Sequence, residues 1–209
     1  MTILSPNMLK TYQTCPKLYK FRYIDKLNIP TSNTPFEKGK KIHALANYFL
    51  QGVNISRIET VLNENEKEIW QTLLDNPFFR KKHFQSEYQL SCKIDKFWIG
   101  GRLDAIVQDG ENYYILDYKT GSIPKSPEYD YQTMVYLLCV DKFLKGNYDS
   151  LSFVYINLKT KTNYVINFNN ELKNEYQNKL LEICTKIAKD SIYRENHNSC
   201  SNCNYINKC

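Results

Sequence analysis

The stretch that most constrains the fold of this chain is Gly101–Gly121, with the sequence GRLDAIVQDGENYYILDYKTG. Two segments within it, Gly101–Gln108 and Tyr113–Thr120, are rich in residues that favour β-strands. Between them, Asp109–Asn112 has the composition of a tight turn. The pattern therefore predicts a β-hairpin. Its second strand carries apolar or aromatic residues at the positions that alternate with the polar ones, so we expect this strand to be buried on both sides.

The register of this hairpin depends on its turn. If Gly110 and Glu111 form the centre of a two-residue turn, residues whose numbers sum to 221 face each other, and Asp104 lies opposite Asp117. A four-residue loop gives the same pairs. A turn shifted by one residue moves the pairing by two and keeps both carboxylates on one face, and only a loop of odd length separates them. Lys119 lies two residues beyond Asp117 and shares its face.

Burying two carboxylates and an ammonium group on one patch costs free energy unless the charges are paired or bound to an ion. One interpretation is a structural ion pair between Lys119 and one aspartate, which leaves the second carboxylate without a partner. A divalent cation removes that difficulty, because the oxygen ligands of Asp104 and Asp117 suit Mg²⁺ or Mn²⁺ with positions left for water and a phosphate. Lys119 would then orient or deprotonate the attacking water and offset phosphate charge.

Composition limits the class of protein. The chain has 209 residues, of which 42% are hydrophobic, and we expect a single domain over residues 1–209. The formal net charge of +6 is compatible with a nucleic-acid partner. No apolar run reaches the roughly 18 residues of a membrane span, and the start lacks the apolar segment of a signal peptide, so we expect a cytoplasmic protein without membrane contact. Seven cysteines in such a chain point towards metal binding rather than disulfides.

The segments GRLDAIV and ILDYKTG resemble the nuclease core of the PD-(D/E)XK superfamily, in its RecB-like branch. This resemblance implies an α/β fold like that of restriction endonucleases, with a mixed central sheet flanked by helices. It also implies that Asp117, Tyr118 and Lys119 form the aspartate–variable–lysine triplet, and that Asp104 is the metal-binding aspartate that precedes it. The Tyr118 carbonyl would complete the metal ligands.

A histidine on an earlier predicted helix fits the same family. The side chain of His43 leans towards Gly39, which leaves room in front of the imidazole. Taken alone, His43 is a half-buried helix histidine. The spacing from Gly39 to His43, however, resembles the histidine motif of RecB-like nucleases, which implies that His43 is a metal ligand. The neighbouring Lys38, Lys40 and Lys41 either contact phosphates or form a solvated face.

A further pair follows the triplet. Gln132 and Tyr136 are four residues apart and share one face of a predicted helix. Together they resemble the Gln-x-x-x-Tyr motif that marks the RecB-like branch. The resemblance implies that both residues line the site and either contact DNA or order Lys119.

The chain ends in HNSCSNCNYINKC, in which Cys200, Cys203 and Cys209 have the short spacing that lets thiolates converge on a metal. The fourth ligand is Cys15 or His197, and spacing alone allows zinc with His197.

One cysteine in Tyr-x-x-Cys-Pro near the start, with three at the end, resembles the iron–sulfur nucleases, which include AddB-type domains and the small CRISPR-associated exonucleases. This resemblance implies a 4Fe-4S cluster on Cys15 and the three tail cysteines, joining residues 5–24 to residues 195–209. Cys92, Cys139 and Cys184 fit no motif and are predicted core residues.

Hydrophobic periodicity and capping residues predict the remaining elements. Glu87 is either a surface strand residue or, as the family often has it, an acidic residue that points into the site. The elements are a helix from Pro6 with a kink at Pro16, a helix from a Thr34–Glu37 capping box, one or two helices over Ile55–Leu74, a strand over Phe84–Asp95 joined to the hairpin by Lys96–Ile99, a helix from Pro127 to about Leu144, strands over Leu151–Asn157 and Asn163–Phe168, and a last helix capped by Asn170.

The residues and the resemblance together predict a Mg²⁺- or Mn²⁺-dependent deoxyribonuclease, an exonuclease that favours single-stranded DNA or single-stranded ends. The expected setting is DNA repair and recombination or CRISPR adaptation, with a helicase or a CRISPR adaptation protein as partner. From its length we expect a free-standing protein like those of the CRISPR-associated class, although its triplet begins with Asp, as in the recombination nucleases. The alternative is a catalytically silent DNA-binding or adaptor subunit that keeps the fold and the cluster.

Overall fold

A computed structural model describes residues 2–29 and 34–209, without the side chains of residues 34–38 and 202. The predicted capping box at Thr34–Glu37 and the side chain of Lys38 therefore lie outside the described residues. In chain order, the strands and α-helices are β1 (Ile3–Leu4), α1 (Pro6–Thr14), α2 (Pro16–Tyr19), α3 (Thr34–Leu50), α4 (Ser56–Glu59), α5 (Glu64–Leu74), β2 (Lys82–Ile94), β3 (Phe97–Asp109), β4 (Asn112–Lys119), α6 (Tyr131–Leu144), β5 (Ser150–Asn157), β6 (Thr162–Asn167) and α7 (Asn170–Lys189). Short 3₁₀ or π-helical turns occupy Lys20–Ile24, Pro127–Tyr129, His197–Asn202 and Ile206–Lys208.

The strands form one mixed sheet, which confirms the predicted α/β class. β4 runs parallel to β5, and β1 runs parallel to the start of β3, whereas β2–β3, β3–β4 and β5–β6 are antiparallel. Both faces are buried, because neighbouring residues such as Ile106 and Val107, or Ile115 and Leu116, belong to two different apolar clusters. Helices α1, α6 and α7 contribute to one cluster, and α3 and α5 to the other. No helix in the described part of the chain combines the length and the apolar character needed to cross a membrane.

The hairpin of β3 and β4 has the predicted register. Its pairs run from Ala105–Leu116 to Asp109–Asn112, and the residue numbers of each pair sum to 221. Gly110 has a φ of +59°, which the first central position of a type II′ turn requires and which glycine adopts without strain. Asp104 and Asp117 therefore lie opposite each other, one position beyond the last ladder pair.

The N-terminal helix is broken where the sequence predicted only a kink. α1 ends at Thr14, and α2 begins at Pro16. Cys15 between them is extended, with φ −160° and ψ 111°. A residue before proline is pushed out of the helical region by the proline ring, and proline is well suited to the first position of the next helix.

The connection before the hairpin is shorter than predicted. β3 begins at Phe97, so the proposed link Lys96–Ile99 is wrong, and only Asp95 and Lys96 separate β2 from β3. The longer strand has a structural consequence, because Trp98 and Ile99 pair with the two-residue strand β1. That strand is too short to give a periodic signal, so it was not predictable from the sequence.

Further boundaries differ from the prediction. β2 covers Lys82–Ile94 rather than Phe84–Asp95, and β5 begins at Ser150 rather than Leu151. The segment after Ser126 forms a 3₁₀ turn, and α6 begins only at Tyr131, because the side chain of Asp130 accepts a hydrogen bond from the Gln132 backbone N–H at 3.0 Å. The cap of α7 is Asn169 rather than Asn170. β6 covers Thr162–Asn167, one residue earlier than expected at each end.

Candidate active site

His43 joins three elements at one edge of the sheet. From α3, its Nδ1 lies 3.0 Å from Oδ1 of Asp104 on β3, and its Nε2 lies 3.0 Å from the carbonyl oxygen of Tyr118 on β4. Burial opposes the charged imidazolium, but the hydrogen bond to Asp104 and the charges of Asp104 and Asp117 outweigh it and raise the pKa of His43. Three of the four groups that the resemblance implies as metal ligands, His43, Asp104 and the Tyr118 carbonyl, are thus in direct contact.

The β3–β4 ladder opens at this point. Beyond the last pair, Ala105–Leu116, the backbone N–H of Tyr118 donates a hydrogen bond to Oδ2 of Asp104 at 3.0 Å. Asp104 is therefore held by two donors, the Tyr118 N–H and the His43 ring, which together determine where its carboxylate points.

Glu87 on β2 completes a group of three ligand-type side chains. Ser86 pairs with Ala105 and Tyr88 with Leu103, so Glu87 lies opposite Asp104. Its φ of +47° is uncommon for a strand residue. One ligand atom each from His43, Glu87 and Asp104 lie within 4.8 Å of one another. Of the two alternatives given for Glu87, a surface strand residue or an acidic residue that points into the site, the structure has the second.

The charge on Glu87 is balanced by a neighbour that the sequence analysis did not single out. The Arg102 Nε lies 2.8 Å from Glu87 Oε2. Burial raises the pKa of the Glu87 carboxyl, the charge of Arg102 opposes that shift, and the charge of Asp104 reinforces it.

Asp117 and Lys119 form a second cluster beneath the first. Asp117 is buried, with 3% of its surface exposed, and the Lys119 ammonium lies 2.7 Å from its Oδ2. Gln132 donates from Nε2 to Oδ1 of Asp117 and accepts from Lys119 Nζ at 3.1 Å. Burial and the nearby Asp104 charge raise the pKa of Asp117 to about 6, against the effect of Lys119. Asp117 does not belong to the group formed by His43, Glu87 and Asp104.

Tyr136, one helical turn after Gln132, contacts the backbone of β3 near the same edge of the sheet. Its hydroxyl donates a hydrogen bond to the Arg102 carbonyl oxygen at 2.8 Å. A Cβ at position 101 would lie 2.9 Å from that hydroxyl, so Gly101 leaves the space that Tyr136 occupies. Gln132 orders Lys119 and Tyr136 orders the backbone of Arg102, and neither side chain lines the cleft.

The His43–Glu87–Asp104 group and Lys119 border a cleft of about 750 Å³. The cleft is lined by Gly39, Lys40, His43, Ala44, Asn47 and Tyr48 from α3, by Glu87, Arg102 and Asp104 from β2 and β3, and by Tyr118, Lys119, Thr120, Gly121 and Ser122 from β4 and the loop after it. Lys40 therefore faces the cleft, whereas Lys41 forms an ion pair with Glu66 at 2.8 Å.

A comparison with protein families matches residues 3–209 to the PD-(D/E)XK nuclease superfamily. The chain belongs to this superfamily. The RecBCD enzyme subunit RecB of Borreliella burgdorferi is 27% identical to it over 141 residues, which are 57% of this chain and 12% of that protein. The chain thus corresponds to a small part of that relative's length.

Solved structures show the same fold. The structure of a protein named "Putative exonuclease" from Eubacterium rectale has a TM-score of 0.62 and 10% sequence identity, and the match covers 99% of this chain and 87% of that one. Nucleases of the PD-(D/E)XK superfamily use divalent metals, and the His43–Glu87–Asp104 group offers the oxygen and nitrogen ligands that such ions accept.

The four predicted cluster cysteines of this PD-(D/E)XK nuclease line one cavity of about 230 Å³. Cys15 is buried, and Cys200, Cys203 and Cys209 reach the cavity from the tail. Among the described residues, no three of these sulfur atoms belong to a group closed within 4.8 Å. Thiolates around a tetrahedral zinc would lie only about 3.8 Å apart, given Zn–S bonds of about 2.3 Å. His197 does not line this cavity.

Proposed function

We propose that this protein hydrolyses phosphodiester bonds of DNA in a reaction that depends on Mg²⁺ or Mn²⁺. One observation carries the proposal. Lys119, held by Asp117 and Gln132, opens into the same cleft as the His43–Glu87–Asp104 group. A nuclease needs a cation at the phosphate and a positioned donor at the attacking water, and these two clusters supply both.

His43, Asp104, Asp117 and the Tyr118 carbonyl are the proposed metal ligands, and Glu87 is added to them by its position. The donor set fits Mg²⁺ or Mn²⁺, because most of its atoms are oxygens. Bound there, the ion would polarise the phosphate and lower the pKa of a coordinated water. Asp104 is oriented for this role by the Tyr118 N–H.

Lys119 is the proposed catalytic residue at the water. Its ammonium is held on one side by Asp117 and on the other by Gln132, so it has a defined position relative to the cleft. Lys119 would orient the attacking water and stabilise the negative charge that develops on the phosphate. Gln132 is then a positioning residue, since it acts through Lys119 and Asp117.

We propose an exonuclease that acts on single-stranded DNA or single-stranded ends. The support for exonuclease action is the name of the structural relative from Eubacterium rectale, together with the partial match to a RecB subunit. The preference for single strands rests on the family resemblance alone. A helicase is the proposed partner in DNA repair and recombination, and a CRISPR adaptation protein is the second candidate. A neighbouring gene for a helicase or a CRISPR integrase would distinguish the two settings.

We propose that Cys15, Cys200, Cys203 and Cys209 hold a 4Fe-4S cluster. The support is the shared cavity, the four-thiol donor set and the family resemblance of the cysteine pattern. The cluster would have a structural role, because it would connect the break between α1 and α2 to the tail.

The test of the nuclease proposal is a cleavage assay on end-labelled DNA with Mg²⁺, Mn²⁺ or EDTA. Linear single strands, blunt duplexes and circular single strands are compared, because an exonuclease leaves circles intact. We expect Asp117→Ala and Lys119→Ala to lower the cleavage rate by more than about 100-fold while DNA binding remains. Lys81→Ala is the matched control, because Lys81 has similar exposure, 22% against 27%, and pairs with Asp109 outside the cleft.

Undiminished cleavage by Lys119→Ala would exclude the proposed catalytic residue. Cleavage in EDTA equal to that in Mg²⁺ would exclude the metal. If the unmodified protein binds DNA but cleaves none of these substrates with either metal, the silent DNA-binding subunit is the correct description.

A further inference from the structure

Arg102 is a cation at the cleft that the proposed reaction does not use. It lies two residues before Asp104 on β3, so the two side chains are on the same face of the strand, and both line the cleft. Two-thirds of its side chain, 66%, is exposed, and its Nε lies 2.8 Å from Glu87 Oε2. The hydrogen bond from Tyr136 to its carbonyl oxygen holds its backbone in place. Arg102 is therefore anchored at the backbone by Tyr136, and its guanidinium, which is mostly exposed, pairs with Glu87.

Glu87 belongs to two groups at once. It is the ion-pair partner of Arg102, and it is one of the three side chains that could hold a metal. A divalent cation bound to Glu87 and Asp104 would neutralise both carboxylates, so the attraction between Glu87 and Arg102 would fall. The arginine side of this pair is mostly exposed, and ion pairs in contact with solvent contribute little to stability, so Arg102 can exchange Glu87 for another partner.

The planar guanidinium of arginine matches the oxygens of a phosphate group. We propose that Arg102 binds a backbone phosphate of the DNA substrate, and that it does so only after a metal at Glu87 has released it from its ion pair. Metal binding and DNA binding are then positively coupled, since each favours the state that the other requires. This inference rests on the proposed function.

The first measurement uses metal without DNA. Mn²⁺ is titrated calorimetrically into the unmodified protein and into Arg102→Gln. Because Arg102 competes with the metal for Glu87, we expect Arg102→Gln to bind Mn²⁺ about two- to fivefold tighter. Arg80→Gln is the matched control. Arg80 is 63% exposed and forms an ion pair of 2.6 Å with Asp75, and it does not line the cleft. It should bind Mn²⁺ as the unmodified protein does.

The second measurement uses a fluorescent single strand and proteins that also carry Lys119→Ala, so that the DNA stays intact. With Mn²⁺, Arg102→Gln should weaken DNA binding severalfold and reduce the slope of log K against log salt by about 0.7, the value for one lost phosphate contact on a single strand. With EDTA, Arg102→Gln should change neither the affinity for DNA nor the slope against salt. Glu87→Gln releases Arg102 without metal, so it should bind DNA more tightly than the parent protein in EDTA.

Tighter metal binding together with weaker metal-dependent DNA binding would support the coupling, because a merely structural arginine would not shift the two affinities in opposite directions. Unchanged Mn²⁺ affinity in Arg102→Gln, or an equal loss of DNA affinity with Mn²⁺ and with EDTA, would overturn it. Both results leave the nuclease proposal intact if the unmodified protein cleaves DNA with metal. Absence of metal-dependent cleavage refutes the proposed function instead.

Discussion

At the scale of single residues, the charge of His43 is determined by the two oxygen atoms that its ring contacts. Both of its ring nitrogens lie 3.0 Å from oxygen atoms, and only a doubly protonated imidazole can donate to both. The neighbouring Asp104 and the Tyr118 carbonyl therefore favour the imidazolium. Metal binding has to release that proton, since a ligating histidine is neutral.

His43→Ala should lower cleavage mainly by weakening metal binding. We expect the affinity for Mn²⁺ to fall at least about tenfold, and excess Mn²⁺ to restore part of the activity, because the remaining ligands are oxygens. Calorimetric titration of metal and cleavage rates over a range of Mn²⁺ concentrations measure both effects. His83→Ala is the control, since His83 contacts Ser86 and does not line the cleft. Equal metal affinity in His43→Ala and the unmodified protein would make His43 a packed histidine only.

Gly101→Ala should lower the stability of the protein by displacing Tyr136. The added Cβ would lie 2.9 Å from the Tyr136 hydroxyl, so the tyrosine would have to shift and would lose its hydrogen bond to Arg102. Overpacking of this kind costs about 1–3 kcal/mol in free energy of unfolding, which urea denaturation measures. Gly121→Ala is the control, because nothing lies within 4 Å of a Cβ there. Equal stability of the two variants would contradict the proposed close contact.

The residues with a motif were predictable, and those without one were not. His43, Asp104, Asp117 and Lys119 lie on short patterns of residue type and spacing, and the structure brings them to one place. Glu87 has no such pattern. Its orientation depends on a positive φ within a strand and on the pairing of β2 with β3, which are tertiary features.

At the scale of elements, turn chemistry and the two-residue period of strands were enough to predict the hairpin and its register. Boundaries set by long-range pairing were not predictable. β3 begins at Phe97 because β1 and β2 pair with its first residues, and two-residue strands such as β1 carry no periodic signal. The start of α6 was misplaced because Asp130 competes as a cap with Ser126, and the structure uses Asp130.

Asp130→Ala should lower both the stability of the protein and its kcat, because Asp130 caps the start of α6. Asp130 caps the helix through the backbone N–H of Gln132, the residue that holds Asp117 and Lys119. Loss of an N-cap costs about 1 kcal/mol in free energy of unfolding. We expect this loss, and also a severalfold lower kcat, because Gln132 would no longer be fixed.

Asn169→Ala provides the comparison, because Asn169 caps α7 through the Leu172 backbone N–H, away from the cleft. It should lose similar stability in urea denaturation and keep its kcat. If both variants lose kcat equally, the cap of α6 has no specific link to Lys119.

At the scale of the whole molecule, the two ends of the chain are held together by many polar contacts. Asn196 and Ser199 both donate hydrogen bonds to the Thr14 carbonyl oxygen, at 2.8 and 3.2 Å. Tyr205 donates to the Leu27 carbonyl oxygen at 2.9 Å, and Tyr12 donates to Asp190 at 2.7 Å. No local pattern could predict contacts across about 180 residues, and the sequence analysis inferred the joining of the ends only through a family resemblance.

Cys15→Ser should remove the proposed cluster ligand that connects the N-terminal segment to the tail. The four cysteines line one cavity, and a cross-link across so long a loop removes unfolded-chain entropy on the order of 5 kcal/mol in loop-closure theory. We therefore expect anaerobically purified protein to be brown, with iron and acid-labile sulfide in equal amounts. Cys15→Ser should lose both the colour and much of the thermal stability.

Two variants of the candidate fourth ligand decide whether Cys15 or His197 completes the site, and assays for iron, sulfide and zinc decide which metal it holds. Four thiolates can bind either metal, but the histidine alternative requires His197, which does not line the cavity. His197→Ala should therefore keep the colour, the iron and the melting temperature of the unmodified protein. Colourless protein with one zinc, lost in His197→Ala but kept in Cys15→Ser, would refute the cluster and its joining role together. It would leave the nuclease site unaffected, because Asp104, Asp117 and Lys119 are positioned by the hairpin and α6 rather than by the tail.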